Sequence, residues 1–315
     1  MQKLESLFEL QIPSPLQAFD IPDLNSSELK VYAKRDDLIH PEISGNKFRK
    51  LKHNFEAFRL GKYKEIVAFG GAFSNLLYTL SFITKKASIP ATFYVRGDGF
   101  DPNNPTLNTL KKNGASLVFL DRSTYRMKND DAFLRDLHER HPGAFFIPEG
   151  GSNSLALPGA AEIIKELKMQ LGKDPDYLLM DIGSGGTFTG VLRELSSNTT
   201  LIGIPVLKGV NWNRTISRLL NKEVDLAQIP NVSIAEDYHF GGFAKYNEKL
   251  IDFINFFTSK YSIQADPIYT AKLLYALFDL VKSGHFKKGS SLVWVHGGGN
   301  QGIDGFNYLN GKLIH

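Results

Sequence analysis

The stretch Ile43 to Leu51, ISGNKFRKL, sets Lys47 directly after a Gly-Asn pair and follows it with Arg49, Lys50 and then Lys52. An amine among cations, once desolvated, falls below its ordinary pKa of about 10.4 and becomes a nucleophile and a base near neutral pH. A basic cluster at a helix start also serves as a solvated face, and charge alone favours that plainer reading. Nucleic-acid binding is not supported. His53-Asn54-Phe55-Glu56 closes the basic run, and no basic-aromatic alternation offers a stacking platform.

A second chemical signal is DIGSGGTFTGVL, where Ser184, Gly185, Gly186 and Thr187 stand between an apolar run and a helix start. Glycines let backbone amides approach an anion, the helix N-terminus adds positive potential, and Ser184 and Thr187 can donate hydroxyls. The stretch has neither the Gly-Lys-Ser/Thr end of a P-loop nor a GxGxxG fingerprint. A ligand-free Gly-rich turn is the competing reading. Three further loops share the character: GGAFSN (70–75), EGGSNS (149–154) and VHGGGNQG (295–302). Ligands of α/β sheets bind beyond the carboxyl ends of the strands, so such loops can converge on one site.

The elements that must position these loops follow a strand-helix rhythm. Short β-rich runs at 65–70, 91–96, 116–120 and 144–150 read as strands, with helices over 74–88, 104–113 and 129–140 between them. A second series, at 177–182, 201–206, 232–235 and 291–296, is again separated by helical stretches. The expected fold class is α/β in two domains, each a mostly parallel sheet flanked by helices. Residues 1–50 and 155–315 would form the larger, cofactor-binding domain, and 51–154 a small α/β domain closing over a shared cleft.

Composition narrows the chemistry further. A chain of 315 residues, 42% of them hydrophobic, can bury a large core. Its 37 basic and 33 acidic residues are interspersed, and the net charge of +4 gives only mild attraction for anions. Without cysteine there is no disulfide, thiolate nucleophile or iron-sulfur cluster, and the eight dispersed histidines lack HExxH-like spacing. No metal site is expected. Neither a signal-type apolar region at the start nor a window of about 18 apolar residues is present, so a soluble cytoplasmic protein without membrane contact is expected.

Taken in order, KRDDLIHPEISGNKFRKL, GGAFSN, GGSN, GSGGT, DPIYTAK and HGGG resemble the 1-aminocyclopropane-1-carboxylate deaminase/D-cysteine desulfhydrase family of pyridoxal-phosphate enzymes. The resemblance spans nearly the whole chain. It implies a tryptophan synthase β-like, fold type II architecture, pyridoxal 5'-phosphate as cofactor, a small amino acid as substrate, and a homodimer. By the same resemblance Lys47 would carry the cofactor covalently and return as a base, with Lys50 facing the phosphate. Ser184, Gly185, Gly186 and Thr187 would bind that phosphate, and Asn75 the phenolic oxygen. Ser74 would meet the substrate, Tyr269 would stand by the reacting carbons, and Thr270 would approach the pyridine nitrogen. Arg49 should point elsewhere, as a structural ion-pair partner.

Some positions depart from the family pattern. Leu76 stands where histidine is common, Phe243 where a tyrosine is expected, and Gly297 where the family has threonine. Lost polar handles change substrate preference. Tyr238 or His239 could compensate, with a surface-loop role as the alternative, and His296 reads as a loop-shaping residue. Where the deaminase branch carries glutamate, Thr270 is neutral and makes a weaker electron sink. The expected activity is therefore β-elimination from D-cysteine or a related amino acid, giving pyruvate, ammonia and sulfide. The alternatives are deamination of 1-aminocyclopropane-1-carboxylate to 2-oxobutanoate, and a binding protein that has lost turnover.

Overall fold

Apolar residues at consecutive positions, as in SLVWV and ATFYV, bury both faces of a strand and suit parallel sheets covered by helices on each side. The computed structural model describes residues 3–21, 28–43 and 45–315. Its strands are β1 (Leu16–Phe19), β2 (Lys30–Lys34), β3 (Glu65–Gly71), β4 (Ala91–Arg96), β5 (Ser116–Leu120), β6 (Ala144–Ile147), β7 (Tyr177–Ile182), β8 (Thr200–Pro205), β9 (Val232–Ile234) and β10 (Ser291–Val295). They form a six-stranded sheet in the order β1-β2-β10-β7-β8-β9 and a four-stranded sheet in the order β5-β4-β3-β6. All pairings are parallel except β1 with β2.

Side chains alternate between two cores as the strand period requires. Along β10, Leu292 and Trp294 enter one core with Phe257 and Leu274, while Val293 and Val295 enter the other with Met180 and Phe188. The smaller sheet repeats the arrangement, with Ile66, Ala68, Phe93 and Val95 on one side and Val67, Phe69 and Tyr94 on the other. No helix among the described residues is long and apolar enough to cross a membrane.

Two differences from the sequence reading concern strands. The strand expected at 144–150 stops at Ile147, because Pro148 follows and Glu149–Gly151 winds into a 3-10 turn with Gly150 at φ 70°. The antiparallel pair β1 and β2 escaped the sequence reading altogether.

The helix Gly45–Leu60 links the sheets. Phe48, Leu51, Phe55 and Phe58 recur at helical spacing and pack into the core of the smaller sheet. Its other side meets the helix Ala156–Leu171 so closely that a Cβ on Gly159 would lie 2.0 Å from the carbonyl oxygen of Arg49. The domain boundary expected at 50/51 falls inside this continuous helix.

Candidate active site

The Gly-rich stretch after β7 turns into the helix Gly186–Arg193 through Gly185, at φ 86°, and no side chain caps its first amides. Those donors are therefore open to a ligand. Lys50 comes up beneath them from the linking helix. Its ammonium donates to Gly150 O, and reaches Ser152 Oγ at 3.2 Å and Ser184 Oγ at 3.4 Å. The two serine hydroxyls are 2.7 Å apart. A Cβ on Gly186 would lie 2.4 Å from Ser152 Oγ, so only glycine leaves this cradle intact. Burial, and then the charge of Lys47, holds the Lys50 amine well below the usual lysine range. Among the described residues no carboxylate lies within ion-pair distance of it. Amides, hydroxyls and an ammonium with no paired anion describe a site for a phosphate.

Lys47 stands in the wall between two lobes of a cleft, one of about 530 Å³ that includes the cradle and one of about 280 Å³ toward Asp37, Gln264 and Gly297. Asn46, Asn75, Asp181 and Tyr269 line both lobes with it. The Lys47 amine donates to Asn46 Oδ1 at 2.5 Å. Burial lowers its pKa to about 8 against the opposing pull of Asp181 and Asp266. Asp181 is pushed the other way, up to about 7, by burial and then by Asp266, with Lys47 opposing. Desolvation thus outweighs the attraction between the two and moves both toward neutral forms. The phenol of Tyr269 is pushed upward by burial, then by Asp266 and Asp181, so it keeps its proton at neutral pH.

Asp266 has a local task. Its carboxylate accepts the amides of Ile268, Tyr269 and Thr270 at 2.8 to 3.0 Å and so caps the helix Thr270–Lys282. That cap fixes Tyr269 against Gly183, where a Cβ would come within 2.8 Å of the ring. Phe243 meets the same ring edge-on, with centroids 6.1 Å apart. Ser74 caps the helix Asn75–Ala87 by accepting Leu77 N, and Asn75 Oδ1 accepts from Gln301.

Ser74, Asn75, Leu76, Phe243 and the cradle residues line the larger lobe. Thr270 does not line either lobe. It is fully buried at the helix start, and its hydroxyl has no hydrogen-bond partner. Gly297 faces the smaller lobe, where a Cβ would lie 3.4 Å from Asp181 Oδ1. His296 contacts Gln264 O through Nε2 and accepts Gly298 N at Nδ1, which shapes the loop. Tyr238 is occupied away from the cleft, donating to Asp279 at 2.7 Å, and the His239 ring accepts Gly241 N. Neither lines the lobes.

The family model described as pyridoxal-phosphate dependent enzyme matches residues 8–298. The chain belongs to that family. A Pyrococcus abyssi protein named "Putative 1-aminocyclopropane-1-carboxylate deaminase" is 29% identical over 289 residues, covering 88% of this chain and 86% of that protein. An Arabidopsis thaliana protein, "Bifunctional D-cysteine desulfhydrase/1-aminocyclopropane-1-carboxylate deaminase, mitochondrial", is 26% identical and covers 93% and 77%. A solved structure described as an ACC deaminase homologue superposes with a TM-score of 0.78 at 26% identity over 100% of both chains. The two-sheet architecture is that of the fold type II pyridoxal-phosphate enzymes, which the sequence motifs implied.

The residues of this pyridoxal-phosphate-dependent enzyme fit the cofactor. The uncapped cradle with Lys50 suits the phosphate, and Lys47, with its amine near neutrality, lies at the wall both lobes share. The sequence reading passed over Asp181 and Asp266. Their only signals were a lone acid within the apolar run YLLMDI and an Asp-Pro pair ahead of a helix.

Proposed function

We propose that this enzyme catalyses β-elimination from D-cysteine or a closely related β-substituted amino acid, releasing pyruvate, ammonia and the β-substituent, which from D-cysteine is sulfide. The observation that carries the reading is that the first turn of the helix Thr270–Lys282 holds no acidic side chain, Thr270 being neutral and buried at its start. Asp266 is committed to three backbone amides, and Asp181 is pushed toward its neutral form. None of these groups offers the pyridine nitrogen a firmly ionised, uncommitted carboxylate. A weaker electron sink suits a departing thiolate better than the breaking of a ring carbon-carbon bond.

Pyridoxal phosphate, when bound, supplies the sink for the electrons left at Cα. The rest falls to this chain's own residues. Lys47 Nζ, poised near pKa 8, accepts the Cα proton. Ser74, at the start of its helix and in the larger lobe, orients the substrate carboxylate. Tyr269 keeps its proton and faces the departing group. Sulfide leaves Cβ with the bonding pair, and one water balances the conversion of cysteine to pyruvate, ammonia and hydrogen sulfide. Phe243 and Leu76 keep that side of the lobe apolar. The same reading takes 51–154 as the small unit closing over the cleft against 1–50 and 155–315, in a homodimer.

A panel of D- and L-amino acids plus 1-aminocyclopropane-1-carboxylate, assayed for keto acid and ammonia, tests the reading. Pyruvate from D-cysteine should form fastest. Faster release of 2-oxobutanoate from the cyclopropane, the substrate named for the relatives above, would reverse it.

A further inference from the structure

Arg96 closes β4 in register with Gly71, so its side chain emerges at the carboxyl edge of the smaller sheet, beside the loop that carries Ser74 and Asn75. Gly71 has no side chain to occupy that space, and a Cβ there would sit 3.7 Å from Arg96 Nη2. The guanidinium lies 5.8 Å from the ring centre of Tyr125, a residue only 2% exposed. Tyr125 is fixed in turn by donating to Glu149 Oε1 at 2.9 Å. Lys128 approaches the same ring at 4.9 Å and pairs with Glu149 Oε2 at 3.3 Å. Both oxygens of Glu149 are therefore engaged. Among the described residues the Arg96 guanidinium has no hydrogen bond and no carboxylate partner, although it lines the larger lobe.

We propose that Arg96 forms an anion subsite at the mouth of the larger lobe, which takes a second carboxylate carried on the side chain of the amino-acid substrate. The inference rests on the elimination reading and narrows its substrate class to β-substituted amino acids with an acidic tail. The substrate's own carboxylate has a nearer host in Ser74, whose neighbour Asn75 lines both lobes together with Lys47, whereas Arg96 lines the larger lobe alone. Leu207, Ala244 and Leu309 line that lobe too and suit the uncharged body of such a substituent. A guanidinium already held on an aromatic ring presents a planar fork that matches a carboxylate in two-point contact, which a lysine cannot reproduce.

The test titrates the cofactor-loaded enzyme with S-carboxymethylcysteine and its uncharged isostere S-carbamoylmethylcysteine, both enantiomers, and reads the half-saturating concentration of the visible spectral change. The acid should half-saturate at about one tenth of the amide's concentration in the wild type, the factor given by one modest charge-assisted contact. In Arg96→Met that ratio should collapse to within about twofold of one, with Arg96→Lys between them. A wild-type ratio near one overturns the proposal, and so does a ratio that persists in Arg96→Met. Spectral silence with both probes, while D-cysteine is turned over, sinks the subsite and leaves the elimination reading standing. Silence with D-cysteine and 1-aminocyclopropane-1-carboxylate as well sinks both.

Discussion

Lys47 draws its reactivity from opposed effects whose sizes decide the outcome. Burial favours the neutral amine, Asp181 and Asp266 favour the ammonium, and burial wins by enough to bring the pKa to about 8. In cofactor-free protein, labelling of Lys47 by a small acylating reagent should rise with pH and level off above a midpoint near 8. Exposed lysines should keep rising toward pH 10. Peptide mapping of the labelled protein gives the profile residue by residue. Asp181→Asn removes a charge that holds the proton on, so the midpoint should move below that of the wild type. A midpoint that rises instead would mean that the carboxylate does not act on the amine as the geometry implies.

At the scale of elements, a buried ion network fixes the helix that carries Lys47 and Lys50. Arg49 binds Asp36 through Nε and Nη2 at 2.6 and 2.7 Å, and Glu166 through Nη1 and Nη2 at 2.8 and 2.9 Å. Lys34 completes the network, 2.6 Å from Glu166. These contacts tie β2, the linking helix and the helix Ala156–Leu171 together behind the cleft. Arg49→Met would leave Asp36 and Glu166 buried without their main cation, at a cost of about 3–5 kcal/mol. Lys52→Met on the same helix removes part-exposed pairs with Glu162 and Glu5 and should cost less than about 1 kcal/mol. Urea denaturation of the two cofactor-free variants should separate them clearly. Similar midpoints would show that the network adds no more than a surface pair.

For the molecule as a whole, the raised pKa of Asp181 makes stability depend on pH. The unfolded carboxyl titrates near its ordinary value of 3.8, the folded one near 7. Between those values the folded protein retains a proton that the unfolded chain releases, so the free energy of unfolding falls as pH rises through the window. Lys47 acts in the opposite sense above pH 8, where the unfolded chain binds the extra proton and stability rises with pH toward 10.5. Denaturation of cofactor-free protein at pH 5 and pH 7.5 should therefore show a loss that Asp181→Asn largely removes. The loss should be on the order of 1–3 kcal/mol, below the full shift because Asp181 borders the water of the cleft. Identical profiles for the two proteins would contradict the assignment.

What the sequence settled by itself was local and periodic. Strands buried on both faces, such as 91–96 and 177–182, declare themselves as apolar runs between turn residues, and they form over those residues. The cradle was legible because glycine has no substitute where a Cβ would strike Ser152. The strand Lys30–Lys34 was not, because lysines at both of its ends read as surface. Lys34 is in fact fully buried, and its charge is met by Glu166, a residue far along the chain. The same reason hid Asp181, whose carboxyl becomes a functional group only when folding desolvates it and brings Asp266 and Lys47 alongside. It hid the Arg96 subsite too, since nothing local says that Tyr125 and Glu149 will hold that guanidinium at the mouth of the cleft without an anion of its own. Side-chain type and backbone preference are carried by neighbours in the chain. Burial and pairing of charge are set by residues from another element, often tens to more than a hundred positions away, and only the tertiary structure decides them.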